Sequence, residues 1–146
     1  MAFDWMKRLN DKASILAQAH GAQSATDITG FSLLGHAWEM AEASGVGLRF
    51  FVESIPLYEG VEALAPTWCF PGGSNDNAEF FGKQVSFAPH ISQETQMVLF
   101  DPQTSGGLLF AVPAKRVNQL EQAAAEQNIP LWRIGEVTET GLIEVV

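Results

Sequence analysis

The chain has 146 residues, of which 47% are hydrophobic and 17% charged, and its net charge is −9. This length and composition are typical of one globular domain with a hydrophobic core rather than of a disordered chain. The acidic balance argues against a nucleic-acid or anionic-membrane partner, because both require clustered Lys and Arg. The single cysteine, Cys69, excludes an internal disulfide. No apolar run reaches the roughly 20 residues of a membrane helix and no secretory signal is evident, so we expect a cytoplasmic protein.

The first half of the chain alternates between helical and extended patterns. Apolar residues at helical spacing predict a helix over residues 2–20 and a second over 31–44, where a broad apolar stripe indicates burial. Alternating apolar residues predict a strand over 47–53, and a short helix is predicted over 58–64. Residues 66–77 are rich in Pro, Gly, Ser and Asn, which predicts a loop.

The second half contains more strand patterns. Ser92 is a predicted N-cap, and the strand at 108–112 is apolar enough to be placed at the centre of its sheet. The predicted elements are a strand at 85–87, a helix at 93–99, a strand at 108–112, a helix at 114–127 and strands at 131–137 and 142–146. These patterns predict an α+β or α/β domain in which helices pack on one sheet.

A polar, glycine-containing stretch at residues 25–36 reads Ala-Thr-Asp-Ile-Thr-Gly-Phe-Ser-Leu-Leu-Gly-His. Asp27, Thr26 or Thr29 could accept hydrogen bonds from free amides of the following helix, whose dipole favours a carboxylate or phosphate there. The stretch is therefore either an ordinary N-cap or a site that faces an anion or metal. His36 is either a partly buried structural histidine or a residue that orders the loop before the helix.

A second stretch, residues 99–109, reads Leu-Phe-Asp-Pro-Gln-Thr-Ser-Gly-Gly-Leu-Leu. By itself it is typical of a polar turn leading into a buried strand. Gly106 and Gly107 allow close backbone approach because they carry no Cβ. We expect these glycines to turn the loop onto the sheet beside Asp27, so that both stretches share one rim of the domain.

Together the two stretches resemble the C-terminal domain of selenophosphate synthetase (selenide, water dikinase). That family reads Thr-Asp-(Ile/Val)-Thr-Gly-Phe-Gly-Leu-Leu-Gly-His in the first stretch and Asp-Pro-Gln-Thr-Ser-Gly-Gly-Leu-Leu in the second. The first motif is shared more loosely with the superfamily of aminoimidazole-ribonucleotide synthetase-like ATP-using enzymes. The sequence departs from the family pattern at Ser32, where the family usually has glycine. Further segments that resemble the family are Ile55-Pro56, Gly60-Val61-Glu62, Pro71-Gly72-Gly73-Ser74 with Asn77, and Gly135-Glu136-Val137.

The resemblance implies an aminoimidazole-ribonucleotide synthetase-like C-terminal domain over residues 25–146, built as a mixed β-sheet covered by helices. Residues 1–24 would be a leading helix or linker from an N-terminal ATP-binding domain. The implied enzyme makes selenophosphate from selenide, ATP and water, with release of AMP and phosphate. It uses Mg²⁺ shared between the two domains, and the full-length enzyme is expected to be a homodimer.

The resemblance also implies the site residues. Asp27 is expected to be a metal ligand, and the expected phosphate- or cleft-supporting residues are Thr26, Thr29, Gly30, Asp101, Gln103, Thr104, Ser105, Gly106 and Gly107. No nucleophile with its own base is evident, so this fragment is expected to contain no catalytic residue and to be inactive alone. Two other functions stay open: a stand-alone, non-catalytic binding module of the same fold, or another ATP-using member of the superfamily.

Overall fold

A computed structural model describes residues 2–146 of the chain. The helices in this range are α1 (Ala2–Met6), α2 (Asp11–Ala19), α3 (Ser32–Ser44), α4 (Val61–Leu64), α5 (Gly72–Phe81), α6 (Gln93–Leu99) and α7 (Val117–Glu126). The strands are β1 (Ser24–Asp27), β2 (Gly47–Phe50), β3 (Val85–Phe87), β4 (Leu108–Ala111), β5 (Gly135–Thr138) and β6 (Ile143–Val145). None of the helices described is long and apolar enough to cross a bilayer.

The strands form two sheets rather than the predicted single sheet. β1 and β4 form an antiparallel pair, in which Asp27 lies opposite Leu108. The other strands form a sheet in the order β3-β6-β2-β5. In that sheet β6 runs parallel to β2 and β3, whereas β5 runs antiparallel to β2. The larger sheet is therefore mixed and is packed by helices, which confirms the predicted fold class.

The main hydrophobic core lies between α3 and the larger sheet. The broad apolar stripe of α3 supplies Leu34 and Ala37, both 0% exposed, and these pack with Ile143 and Val145 of β6, which are also 0% exposed. A smaller core joins α2 to α7, where Leu16 packs with two buried residues of α7. The first of these cores supports the helix that follows the first polar stretch.

The predicted helix over residues 2–20 is wrong as a single element. The structure has α1 and α2, which are separated at residues 7–10. The apolar residue Leu9 is 75% exposed, and Asn10 occupies the N-cap position of α2. Asn is favoured at helix ends rather than in helix interiors, so a new helix begins after Asn10. Because Leu9 is exposed, the apolar spacing that suggested one helix does not mark one buried face.

The predicted loop over residues 66–77 is also wrong in its second part, because α5 begins at Gly72. Two glycines in its first turn make this a poor helix by propensity. The helix nevertheless buries Ser74, Asn77 and Phe81 on one face, three and four residues apart. Tertiary contacts of this face therefore override the local signal.

The remaining elements match their predicted types and are mostly shorter. Strand 47–53 ends at Phe50 and passes into a 3₁₀ turn, Val52–Ser54, while the helix predicted from residue 114 begins with another, Ala114–Arg116. β4 is not a central strand, since it pairs with β1 alone and its residues are only half-buried. The predicted N-cap of α6 is confirmed: Ser92 Oγ accepts the Thr95 amide hydrogen at an N···O distance of 3.2 Å.

Candidate functional site

The two polar stretches are joined directly by backbone hydrogen bonds. Beyond the β1–β4 pair, the Ile28 amide donates to the Gly107 carbonyl over 2.9 Å, and the Gly106 amide donates to the Ile28 carbonyl over 2.8 Å. The Gln103 amide donates to the Thr29 carbonyl over 3.0 Å. The expectation that both stretches share one rim of the domain is confirmed. We call this hydrogen-bonded pair of segments, residues 26–30 and 101–107, the shared rim.

Two consecutive glycines make this close approach possible. Gly107 has a φ of +93°, in the left-handed region that side-chain-bearing residues rarely adopt. Gly106 lies so close to Ile28 that an added Cβ would stand 2.9 Å from its Cγ2 atom and 3.0 Å from its carbonyl oxygen. The two glycines therefore serve different needs, backbone conformation at one position and space at the next.

Asp27 ends strand β1 and is exposed, while the next residue, Ile28, is buried. Helix α3 begins only at Ser32, and its N-cap position is held by Phe31 without a side-chain cap. The interpretation of Asp27 as an ordinary N-cap is therefore wrong. Its carboxylate is exposed at the end of a strand at the shared rim.

The His36 side chain contacts the residues that precede its own helix. Its Nε2 atom lies 2.9 Å from Thr29 Oγ1 and accepts the Phe31 amide hydrogen at an N···N distance of 3.4 Å. Its Nδ1 atom lies 3.1 Å from Glu39 Oε2. The His36 side chain is 12% exposed and that of Glu39 is 50% exposed. From inside α3, His36 is thus a partly buried histidine bonded to a neighbour and also contacts the loop that leads into the helix, so its contacts fit both sequence-based interpretations.

Asp101 is held by two neighbours rather than presented to solvent. The Ser74 hydroxyl donates to Asp101 Oδ1 over 2.9 Å, and Gln103 Nε2 donates to Oδ2 over 3.2 Å. Ser74 is fully buried in α5. In the same loop Thr104 is exposed and Ser105 is half-buried. Asp101 and Gln103 therefore stabilise the loop, and Thr104 is the polar side chain of the loop that faces solvent.

Asn77 of α5 binds next to the shared rim, and sequence reasoning did not select it as a site residue. Its Nδ2 group donates to the Gly30 carbonyl over 3.0 Å and to the Phe100 carbonyl over 3.1 Å. Asn77 is 6% exposed, so both hydrogen bonds are shielded from water. It therefore ties the first stretch to the second through α5. The sequence signal that could have found Asn77 is its spacing of three residues from Ser74, which places both on one face of a helix. Residues 66–77 were predicted to be a loop, so this spacing was not considered.

The donor set at the shared rim fits part of a magnesium site. Carboxylate and hydroxyl oxygens suit Mg²⁺, but this ion demands octahedral coordination by several oxygens. Within residues 2–146, no three His, Cys, Asp or Glu side chains come together to hold a metal ion. Asp27 therefore fits as one ligand of a site that needs further oxygens from elsewhere.

Ser32 departs from the usual glycine and has a φ of +66°, although it is fully buried. A left-handed conformation costs a side-chain-bearing residue about 1–2 kcal/mol. The Gly35 amide donates to Ser32 Oγ over a long 3.4 Å, which offsets little of that strain. We expect Ser32→Gly to be more stable than Ser32→Ala by about 1 kcal/mol in urea unfolding, because both variants lose the hydroxyl but only alanine keeps a Cβ in the left-handed conformation. An alanine variant as stable as the glycine variant would contradict this conformation.

Curated relatives of the chain are named as selenide, water dikinases. The chain is 38% identical over 137 residues to the one from Nitratidesulfovibrio vulgaris, with 94% of the chain and 39% of the relative covered. It is 39% identical over 137 residues to the one from Escherichia coli strain K12, with the same coverage. It is 43% identical over 120 residues to the one from Caldanaerobacter subterraneus, with 82% of the chain and 35% of the relative covered. The chain thus spans well under half the length of these relatives.

A solved structure supports the fold independently. Thiamine-monophosphate kinase from Stenotrophomonas maltophilia superposes with a TM-score of 0.58 at 20% sequence identity, covering 88% of this chain and 32% of that one. At this identity the likeness concerns the fold alone. The family model described as AIR synthase related protein, C-terminal domain, matches residues 3–146. The chain therefore belongs to the family of AIR synthase-related C-terminal domains.

Proposed function

We propose that this chain is the C-terminal part of a cytoplasmic selenide, water dikinase, which makes selenophosphate from selenide, ATP and water. In this proposal residues 25–146 form the C-terminal domain and an N-terminal domain binds ATP, with the full enzyme a homodimer. The observation that carries the proposal is the shared rim: it presents the exposed carboxylate of Asp27 beside a glycine-supported loop. The names of the relatives supply the reaction.

The role we propose for the chain is to complete a metal and phosphate cleft. Asp27 would contribute one oxygen ligand to Mg²⁺, and the ATP-binding domain would contribute the others. When bound, magnesium neutralises charge on the phosphate groups. Asp101, Gln103 and Asn77 would hold the shared rim in place, because their hydrogen bonds are made within the domain. Thr26, Thr104 and Ser105 would support the cleft with hydroxyl groups.

The proposed division of labour predicts that the 146-residue chain alone forms no AMP from ATP and selenide. The reason is that the described residues offer one exposed carboxylate at the shared rim and no cluster that could hold the metal. The measurement is AMP formation by chromatography in the presence of Mg²⁺, with the E. coli relative as the positive control. Robust AMP formation that scales with the concentration of the chain would contradict this division.

The activity itself is tested by a chimera in which this chain replaces the matched segment of the E. coli relative. We expect the chimera to produce selenophosphate, AMP and phosphate, detected by ³¹P NMR. Folding and ATP binding are checked separately by circular dichroism and calorimetry. A folded, ATP-binding chimera that makes no selenophosphate would overturn the proposed function in favour of a non-catalytic module or a superfamily member with another substrate.

A further inference from the structure

Two contacts fix the hydrogen-bond state of the His36 ring. Glu39 is a carboxylate and can only accept, so His36 Nδ1, 3.1 Å from Glu39 Oε2, must carry a hydrogen. The Phe31 amide can only donate, and its hydrogen points at Nε2. Nε2 must therefore offer its lone pair. Together the two contacts select a ring with the proton on Nδ1 and none on Nε2.

This tautomer determines the direction of the Thr29 hydroxyl. Thr29 Oγ1 lies 2.9 Å from the same Nε2 atom. Because Nε2 has no hydrogen to give, the hydroxyl hydrogen of Thr29 must point at the ring. A hydroxyl has one hydrogen to donate and two lone pairs. Once the hydrogen is used, Thr29 can only accept hydrogen bonds from any further group.

Burial alternates over residues 27–29, since Asp27 is exposed, Ile28 is buried and Thr29 is half-buried. The buried Ile28 separates Asp27 from Thr29, and its backbone still pairs with Gly106 and Gly107 as strand β1 pairs with β4. In extended backbone the side chains alternate, so the residues on either side of a buried one point away from the core together. The shared rim therefore offers a carboxylate and a hydroxyl that both accept hydrogen bonds.

From this arrangement we propose that Thr29 binds the water shell of a hydrated divalent cation and does not bind phosphate. Waters on a cation direct their hydrogens outward, so the waters that remain on a cation ligated by Asp27 match an acceptor such as Thr29 Oγ1. A phosphate oxygen needs a hydrogen-bond donor. Thr29 cannot serve as one while its hydroxyl hydrogen is donated to His36 Nε2. His36 is thus a positioning residue that acts through Thr29. The proposal rests on the proposed metal role of Asp27, and it removes Thr29 from the phosphate-supporting residues expected from the sequence.

The first test is the tautomer of His36 in the 146-residue chain. Long-range ¹H–¹⁵N correlation spectra distinguish a protonated from an unprotonated ring nitrogen, and a His36→Gln variant assigns the signal. At a pH where the ring is neutral, we expect a protonated Nδ1 and an unprotonated Nε2. A proton on Nε2 would overturn the proposal, since Thr29 could then donate outward. This readout does not depend on activity, so it separates the proposal from the proposed function.

The second test uses hexaamminecobalt(III) as a probe, because it is diamagnetic and presents only hydrogen-bond donors, like a hydrated magnesium ion. In about 0.15 M salt, which screens exposed charges, we expect it to shift the amide signals of residues 27–29. Inorganic phosphate should leave them unchanged. Thr29→Val should weaken binding of hexaamminecobalt(III) several-fold. Thr67→Val, a change at an exposed threonine elsewhere, should leave that binding unchanged. Phosphate-induced shifts at Thr29, or equal probe binding by both variants, would overturn the proposal.

Discussion

Replacing Asp27 with Asn in the chimera should lower the rate of selenophosphate synthesis by at least about 100-fold. The substitution removes the negative charge from the one exposed carboxylate at the shared rim, and losing a charge-stabilising contact in an active site typically costs a factor of about 10²–10³. Fold stability should be nearly unchanged, because Asp27 is exposed at the end of β1. The measurement is the initial rate by ³¹P NMR, together with urea unfolding of the 146-residue chain.

The matched control is Asp76→Asn, which removes an exposed carboxylate from α5. The Asp76→Asn substitution makes the same change in net charge at a position outside the shared rim. The rate of selenophosphate synthesis by this variant should therefore stay within about twofold of the parent chimera. Near-normal activity of the Asp27→Asn chimera would show that Asp27 is not a metal ligand. Equal losses in both variants would show a general effect of charge and would contradict the assignment as well.

Gly107→Val should destabilise the chain by about 1–3 kcal/mol. The φ of +93° at Gly107 is strained for any residue with a Cβ, and a β-branched side chain makes it worse. Gly106→Val should cost a similar amount for another reason, because its Cβ would meet Ile28, including the carbonyl oxygen at 3.0 Å. Both values follow from urea unfolding of the 146-residue chain.

Gly82→Ala provides the control for these substitutions. Gly82 has a φ of −58°, and an added Cβ there has no atom within 4 Å, so we expect no loss of stability. The shared rim should also respond: the Gly107 variant should shift the amide signals of Ile28 and Thr29. A Gly107→Val variant as stable as the control would mean that the loop does not need the left-handed conformation.

The shared rim could be predicted because its two motifs restrict the backbone strongly. Two adjacent glycines before an apolar strand indicate a close approach, and the structure has that approach at Ile28. One premise was nevertheless wrong, since β4 is half of a two-stranded sheet and not a central strand. The apolar run reflects packing of residues such as Phe110 beside the small core of α2 and α7. Apolar content reports burial, but it does not report how many strands lie alongside.

Sequence patterns predicted an element correctly where a side chain bonds to nearby backbone. They failed where the element depends on contacts with residues far away in the sequence. Ser92 caps α6 through an amide three residues away, so the sequence contained the whole interaction. Helix α5 depends on Asn77, whose partners Gly30 and Phe100 are 47 and 23 residues away. The sequence left two interpretations of His36 open, because the choice depends on which atoms of Thr29 and Glu39 its ring reaches.

The most direct test of the central claim, that the shared rim presents Asp27 to a metal shared with an ATP-binding domain, is a Mn²⁺ titration followed by electron paramagnetic resonance. The chimera is saturated with a non-hydrolysable ATP analogue, and Mn²⁺ takes the place of Mg²⁺. We expect Asp27→Asn to weaken Mn²⁺ binding at least about tenfold, about 1.4 kcal/mol, while Asp76→Asn leaves it unchanged. Equal Mn²⁺ affinity in the parent and Asp27→Asn chimeras, with the ATP analogue bound in both, would contradict the claim.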